Sequence, residues 1–507
     1  MLAAAALALS ACQPNRFVSG WVPYWGTTAG RSTLDNPDIA PLLTDVSMMW
    51  HGTAADGTIT TLSSTTNLNS VIASARVQGL PVVPTIFDTT AAGVMRGILH
   101  NTTNRAAHVQ SIVALVTSKG YDGIDLDYEV FAFGDARSTW SSISPDWVAF
   151  VNSLATQLHA RGKLLSVTVP PVWNGGNSGY TVYAQAQIAP AVDRLRLMAY
   201  DWSITSPGPI APMFWVNSVI AYSTQVVPVS KLQLGVPAYG RHWTTQKNAF
   251  EVCPDGAIRR DSVTMRDSAA LAAAHSVMPT RHSEGEATFG WTELVTGPRT
   301  KPITPPVWTV PTTVVKKVTT PPGTAGLQPA LRLAPPAEPV TCTIQHTVFV
   351  PDPTSVRQRA EAALAAGWSG IALFAFGYET TETYAALSEI APVRPNGSPS
   401  GSLGTPTVNG AVVRITGTAL HPEFDLPVAV RLTVTRTGGG TPVVRTVLAR
   451  SQVASMPAGL GPFHGIDESF ALAVGSYTVC GQVLAWGGAV VATTGCQSFS
   501  ISGAPPP

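Results

Sequence analysis

Apolar and polar positions alternate along most of the chain in two rhythms. Short, nearly unbroken apolar runs recur at Phe17–Tyr24, Asp45–Trp50, Pro81–Phe87, Gly123–Tyr128, Leu164–Val169, Arg194–Ala199, Leu232–Val236 and Gly370–Phe374. They read as strands covered on both faces. Between them apolar residues return every three or four positions, as in Arg105–Lys119, Trp147–Ala160 and Met213–Val226, which is the rhythm of helices with one buried face. Asp146 stands where the second of these helices would be capped. Ser355, with Gln358 three residues on, stands where a helix ahead of the last strand would begin. Eight strands alternating with helices over residues 16–391 predict an α/β fold, a (β/α)8 barrel, with a doubly wound parallel sheet as the rival arrangement.

The alternation breaks in three places. Residues 242–345 are far too long for a strand-to-helix connection and read as an inserted subdomain before the last strand. Within it, Pro298–Pro339 holds 11 of the 42 prolines, the composition of an extended arm. A Pro/Gly/Ser linker at 392–406 then leads to residues 407–503, where short alternating runs such as Val412–Thr416 and Val428–Thr435, separated by glycine turns, predict a β-sandwich. At the other end, residues 1–15 read as a signal segment with an apolar stretch from Met1 to Ala11. Leu9-Ser10-Ala11-Cys12 resembles a bacterial lipoprotein box, which implies lipidation of Cys12, although no Lys or Arg precedes the apolar stretch; a plain secretory signal is the other reading. The expected destination is the extracellular space or the cell surface, with a membrane engaged only through such an anchor.

Composition narrows the function. Only 12% of the 507 residues are charged and the formal net charge is +1, which excludes the basic stripe of a nucleic-acid binder. Hydrophobic residues at 45% provide for large cores, and a monomer is expected. With Cys12 set aside, the four remaining cysteines pair most simply as Cys253–Cys342 and Cys480–Cys496, which suits an oxidising compartment. No Cys/His spacing suggests a metal site, and no cofactor is expected.

The densest chemistry lies in Tyr121-Asp122-Gly123-Ile124-Asp125-Leu126-Asp127-Tyr128-Glu129. Asp125, Asp127 and Glu129 recur at every second position, so on a strand they project to one face. Like charges this close raise one another's pKa, which favours a carboxyl that stays protonated near neutrality, the requirement for a general acid in glycoside cleavage. A solvated edge strand would carry the same pattern. A calcium loop is disfavoured, because Ile124, Leu126 and Tyr128 stand where such a loop needs turn residues.

Asp122, Asp125, Asp127 and Glu129 form a D-x-x-D-x-D-x-E pattern that resembles the signature of glycoside hydrolase family 18, the chitinase-like family. Gly20–Trp25 resembles that family's first strand, Met198-Ala199-Tyr200-Asp201-Trp202 its sixth, Leu234–Arg241 its seventh and Gly370–Phe374 its eighth. The resemblance spans about residues 16–391, including the insertion. It implies a retaining, substrate-assisted hydrolysis of a polysaccharide containing β-linked N-acetylglucosamine. Glu129 is then the acid and base, Asp127 orients the substrate acetamido group, Asp125 shares a proton or a hydrogen bond with Asp127, Tyr200 donates to the acetamido oxygen, and Asp201 contacts the sugar. Asp122, Tyr24, Trp50, Trp173, Trp202, Tyr239, Arg241 and Phe374 are expected to help line the sugar cleft, at strand ends where barrel sites lie. His242 follows Arg241 without forming a constellation.

Two departures separate the chain from typical chitinases. Phe374 stands where the family usually has the Trp beneath the sugar, and Val83-Pro84-Thr85-Ile86-Phe87 replaces S-x-G-G on the third strand. The second departure looks more like the spore-germination and cell-wall branch, which acts on peptidoglycan. The alternatives from other classes are a non-catalytic glycan-binding lectin on the same scaffold, or an adhesion lipoprotein working through its sandwich.

Overall fold

A computed structural model describes residues 16–299, 339–393 and 397–502. The signal segment with Cys12, and nearly all of the proline-rich stretch of the insertion, lie outside the described residues.

All eight runs read as strands are strands: β1 (Val18–Pro23), β2 (Leu43–Thr53), β3 (Thr85–Phe87), β4 (Gly123–Asp127), β5 (Leu164–Val169), β6 (Arg194–Leu197), β7 (Leu232–Pro237) and β8 (Gly370–Phe374). Each pairs in parallel with the next, and β8 pairs in parallel with β1. That closure makes a (β/α)8 barrel and eliminates the doubly wound sheet. On β4, Ile124 and Leu126 are fully buried in the layer shared with the helices, so Asp125 and Asp127, in the opposite phase, belong to the barrel interior.

A polar network fills the lower interior. Arg196 of β6 donates from Nε to Gln233 Oε1 at 3.0 Å, from Nη1 to Ser47 Oγ at 2.5 Å, and from Nη2 to Asp45. Ser19 bridges Gln233 and Asp45 at 2.7 and 2.6 Å. A buried cation is tolerable only when its donors are satisfied this fully.

The helices follow the expected rhythm, with two corrections at their starts. The second helix runs Trp140–His159 with Pro145 inside it, so Asp146 is no cap. Its carboxylate instead accepts from Arg105 at 3.2 Å and lies 2.8 Å from His100 Nδ1. The helix Pro353–Ala365 is capped by Asp352, whose carboxylate accepts from the Ser355 N–H at 2.7 Å. Ser355 Oγ accepts in return from the Asp352 N–H at 3.1 Å. Ser355 is therefore the reciprocal member of a capping box, placed one turn into the helix.

Between β7 and β8, the strands Tyr239–Gln246, Arg260–Thr264, Thr280–Arg281, Ala287–Pro298 and Pro339–Val350 form an antiparallel five-stranded sheet. It starts ahead of residue 242 because the chain leaves β7 directly into Tyr239–Gln246. The Cys253–Cys342 disulfide forms here, with 4.9 Å between Cα atoms.

Two antiparallel sheets follow, one built around Val412–Leu420 and Phe463–Ala471, the other around Ala429–Arg436, Gly475–Leu484 and Val490–Ile501. They enclose a core of residues such as Val413, Ile415, Leu432, Phe470 and Val479 in a β-sandwich. Cys480–Cys496 links its two last strands. The sandwich packs under the N-terminal end of the barrel, where Phe424, Leu426 and Leu448 join the barrel core. Arg450 reaches Asp193 at 3.0 Å and Glu423 reaches Arg16 at 3.1 Å.

Candidate active site

The carboxylate ladder climbs β4 toward the open, C-terminal end of the barrel. Asp125 is fully buried and saturated: Trp21 Nε1 donates at 3.2 Å, Thr85 Oγ1 at 2.9 Å and Thr168 Oγ1 at 3.1 Å, with Arg196 Nη1 3.6 Å away. Asp127, one step higher, is buried, and among the described residues its Oδ1 has no hydrogen-bond partner. Burial, reinforced by the charges of Glu129 and Asp125, pushes its pKa well above the carboxylate range. Glu129 comes next, just past the strand. Burial and then the Asp201 charge push it up to about 7. Tyr128, in the opposite phase, is locked into the wall: its hydroxyl lies 2.7 Å from His108 Nε2, and its carbonyl accepts from the Tyr183 hydroxyl at 2.7 Å. The ladder is thus held rigid from behind, while its upper two carboxyls face the cavities.

Two cavities meet at Glu129. One, of about 590 Å³, is lined by Asp127, Tyr239, Arg241, Phe374, Trp25 and Tyr378 among others. The second, of about 520 Å³, is lined by Trp173, Trp202, Trp215, Tyr180, Phe133 and their neighbours. Glu129, Met198, Tyr200 and Asp201 border both. Asp201 sits at φ +64, an uncommon value for a residue with a side chain, and its Oδ1 accepts from Arg241 Nη2 at 2.6 Å and Nε at 3.2 Å. The Tyr200 and Phe374 rings lie 6.2 Å apart beneath the first cavity, and burial pushes the Tyr200 hydroxyl up.

Of the residues singled out in the sequence, Asp125, Asp127, Glu129, Tyr200, Asp201, Trp173, Trp202, Tyr239, Arg241 and Phe374 converge on this region. Three do not. Trp50 is fully buried, because Asp45 and Ser47 of β2 point inward and the pleat turns Trp50 outward; Met49 lines the cavity instead. Asp122 precedes β4 and lies at the opposite end of the barrel, paired with Arg76 and accepting from the Val82 and Gly487 N–H groups at 2.8 Å each. Tyr24 is exposed and packs edge-on against Trp25, which lines the cavity in its place. His242 pairs with His346 within the insertion sheet at 2.8 Å.

Sequence reasoning missed Trp25, Tyr378, Phe133, Tyr180 and Trp215 as wall residues. It also missed Asp88, directly after β3, whose buried Oδ2 has no partner among the described residues and whose pKa burial raises. Position just past the end of a barrel strand was the available signal for Asp88 and, one residue further on, for Trp25.

The family model for the glycosyl hydrolases family 18 matches residues 20–378. Among curated relatives, the Bacillus subtilis protein named as a sporulation-specific glycosylase, YdhD, is 28% identical over 236 residues, covering 43% of this chain and 53% of that protein. The chain thus spans about half the length of the curated relatives it matches first. Among solved structures, a chitinase from Chromobacterium violaceum superposes with a TM-score of 0.54 at 21% identity, covering 74% of this chain and 98% of the other. The spore cortex-lytic enzyme SleL of Bacillus megaterium QM B1551 superposes with a TM-score of 0.55 at 17% identity, covering 76% and 75%. These two likenesses concern the fold.

Proposed function

The chain belongs to the glycosyl hydrolases family 18, and from that premise we propose that it hydrolyses glycans containing β-linked N-acetylglucosamine, by a retaining, substrate-assisted route. The observation that carries this reading is the graded ladder: a saturated Asp125, an unpartnered Asp127, and a Glu129 still protonated up to about pH 7 where two cavities meet. Glu129 delivers its proton to the glycosidic oxygen. The substrate's own acetamido oxygen attacks the anomeric carbon, so no enzyme nucleophile is needed, which is an exception to the usual two-carboxylate scheme. Asp127, which lines the larger cavity and has an oxygen left without a partner among the described residues, orients that acetamide. Tyr200 donates to the acetamido oxygen. Asp201, held by Arg241, keeps the proton on Glu129 until it is spent. Water then opens the cyclic intermediate with Glu129 as base. In this assignment the cavity with Asp127 and Phe374 takes the sugar that is attacked, and the aromatic cavity takes the leaving group.

The sporulation glycosylase among the relatives supports the cell-wall branch, with peptidoglycan as well as chitin-like polymers as substrates. The two disulfides fit an oxidising compartment outside the cytoplasm. Among the described residues no helix is long and apolar enough to cross a membrane.

Hydrolysis of chitooligosaccharides and of purified peptidoglycan by the wild type and by Glu129→Gln tests the assignment. Glutamine keeps the shape and removes the transferable proton, so turnover is lost and binding is retained. Unchanged turnover in that variant overturns the mechanism. Binding without turnover by the wild type makes the protein a lectin.

A further inference from the structure

The leaving-group cavity has an apolar, aromatic wall and a basic rim. Arg137 is exposed and lies over the Trp140 ring at 4.5 Å and 5.9 Å from the Tyr180 ring, and Tyr180 lines the cavity. Burial raises the Tyr180 hydroxyl's pKa, with the Arg137 charge opposing the rise and the Glu129 charge adding to it. Elsewhere on the rim, Arg260 is exposed and donates to the Ile204 carbonyl at 2.7 Å, and Ile204 also lines the cavity. Among the described residues neither arginine lies within ion-pair distance of a carboxylate, whereas Arg241, Arg259 and Arg266 close by are all paired. The acids of the cavity itself, Glu129 and Asp201, belong to the reaction centre.

Aromatic faces are enough to bind a neutral sugar. Two guanidinium groups anchored at the rim, one pre-positioned by stacking and both without a protein counter-ion, suit a ligand that brings its own negative charge. We infer that the leaving-group cavity accepts an amino sugar whose substituent carries a carboxylate, and that Arg137, assisted by Arg260, reads that charge. The inference rests on the hydrolase reading above and sharpens its substrate to acid-substituted glycan strands, the class that includes peptidoglycan with a free muramyl carboxylate.

The test compares peptidoglycan-derived oligosaccharides bearing that carboxylate with the same compounds after conversion of the carboxylate to an amide. The wild type is expected to favour the charged form in kcat/KM by about fivefold, the size of a rim ion pair. The preference should shrink as salt rises, collapse toward one in Arg137→Gln and fall part of the way in Arg260→Gln. Arg137→Lys should recover some of it, because lysine keeps the charge without the planar fork. A wild type that cuts charged and amidated substrates equally well overturns the inference, as does an Arg137→Gln variant that keeps the full preference. If the wild type cuts neither compound and no chitooligosaccharide either, the hydrolase reading fails by itself. Calorimetric binding of the same pair to the wild type then decides the charge preference independently, equal affinities overturning it.

Discussion

The two ends of the barrel handle buried carboxylates in opposite ways. At the N-terminal end, Asp193 lies between β5 and β6 and accepts from the Leu165 N–H at 2.8 Å and from Arg450 Nε of the sandwich at 3.0 Å, with His159 Nε2 at 2.8 Å. Burial alone would raise its pKa, but the His159 and Arg450 charges override burial and hold it well below the usual carboxylate range. Asp122, at the same end, has Arg76 and two backbone N–H groups. At the C-terminal end, Asp127 is equally buried yet has an oxygen with no donor, and Glu129 is pushed up to about 7. Burial is common to both ends; the supply of donors is what differs. A carboxylate surrounded by donors becomes part of the scaffold, whereas one deprived of them keeps its proton and becomes chemically useful. The sandwich contributes to the saturated end, and among the described residues none of it lines the cavities of the reactive one.

Breaking the reactive end should produce the largest effect. Glu129→Gln should lower kcat on N-acetylglucosamine oligosaccharides by about 10²–10⁴-fold, with KM changed far less. In the wild type, kcat/KM should fall about tenfold per pH unit above pH ~7, as Glu129 loses its proton.

Stability sharpens the contrast. The Glu129 pKa is raised in the folded state, so its contribution is fully present below the unfolded value and declines as pH rises through about 7. Thermal denaturation should therefore show Glu129→Gln more stable than the wild type at pH 8, by at most about 3 kcal/mol, with the difference shrinking toward pH 5.

Asp193 behaves in the reverse sense. Its depressed pKa stabilises the fold above the unfolded value and that contribution is lost on acidification. Asp193→Asn should destabilise by about 1–3 kcal/mol at pH 7, less at pH 3, with kcat retained. Smaller still, Phe374→Trp should lower KM a few-fold by enlarging the stacking face beneath the sugar.

Much of this molecule is visible in its sequence because the relevant signals are local. An apolar run covered on both faces is marked by its own residues, so β1 to β8 and their alternation with helices could be read directly, and the period of Asp125, Asp127 and Glu129 fixes a common face. The Cys253–Cys342 and Cys480–Cys496 pairs were legible for the different reason that few partners exist.

What lay beyond reach depends on contacts distant in sequence. Trp50 and Met49 exchange places according to which face of β2 meets the barrel interior. Asp122 is only three residues from Asp125, yet its role is decided by Arg76 and by Gly487, 365 positions away in the sandwich. Ser355 yielded the cap to Asp352 because the helix starts one turn earlier than its apolar rhythm suggests. The chain alone determines which carboxyls share a strand face, since that follows from the two-residue repeat of a strand. The fold decides which of them stay protonated, since that depends on how many donors the neighbouring strands, loops and the sandwich bring within hydrogen-bond reach.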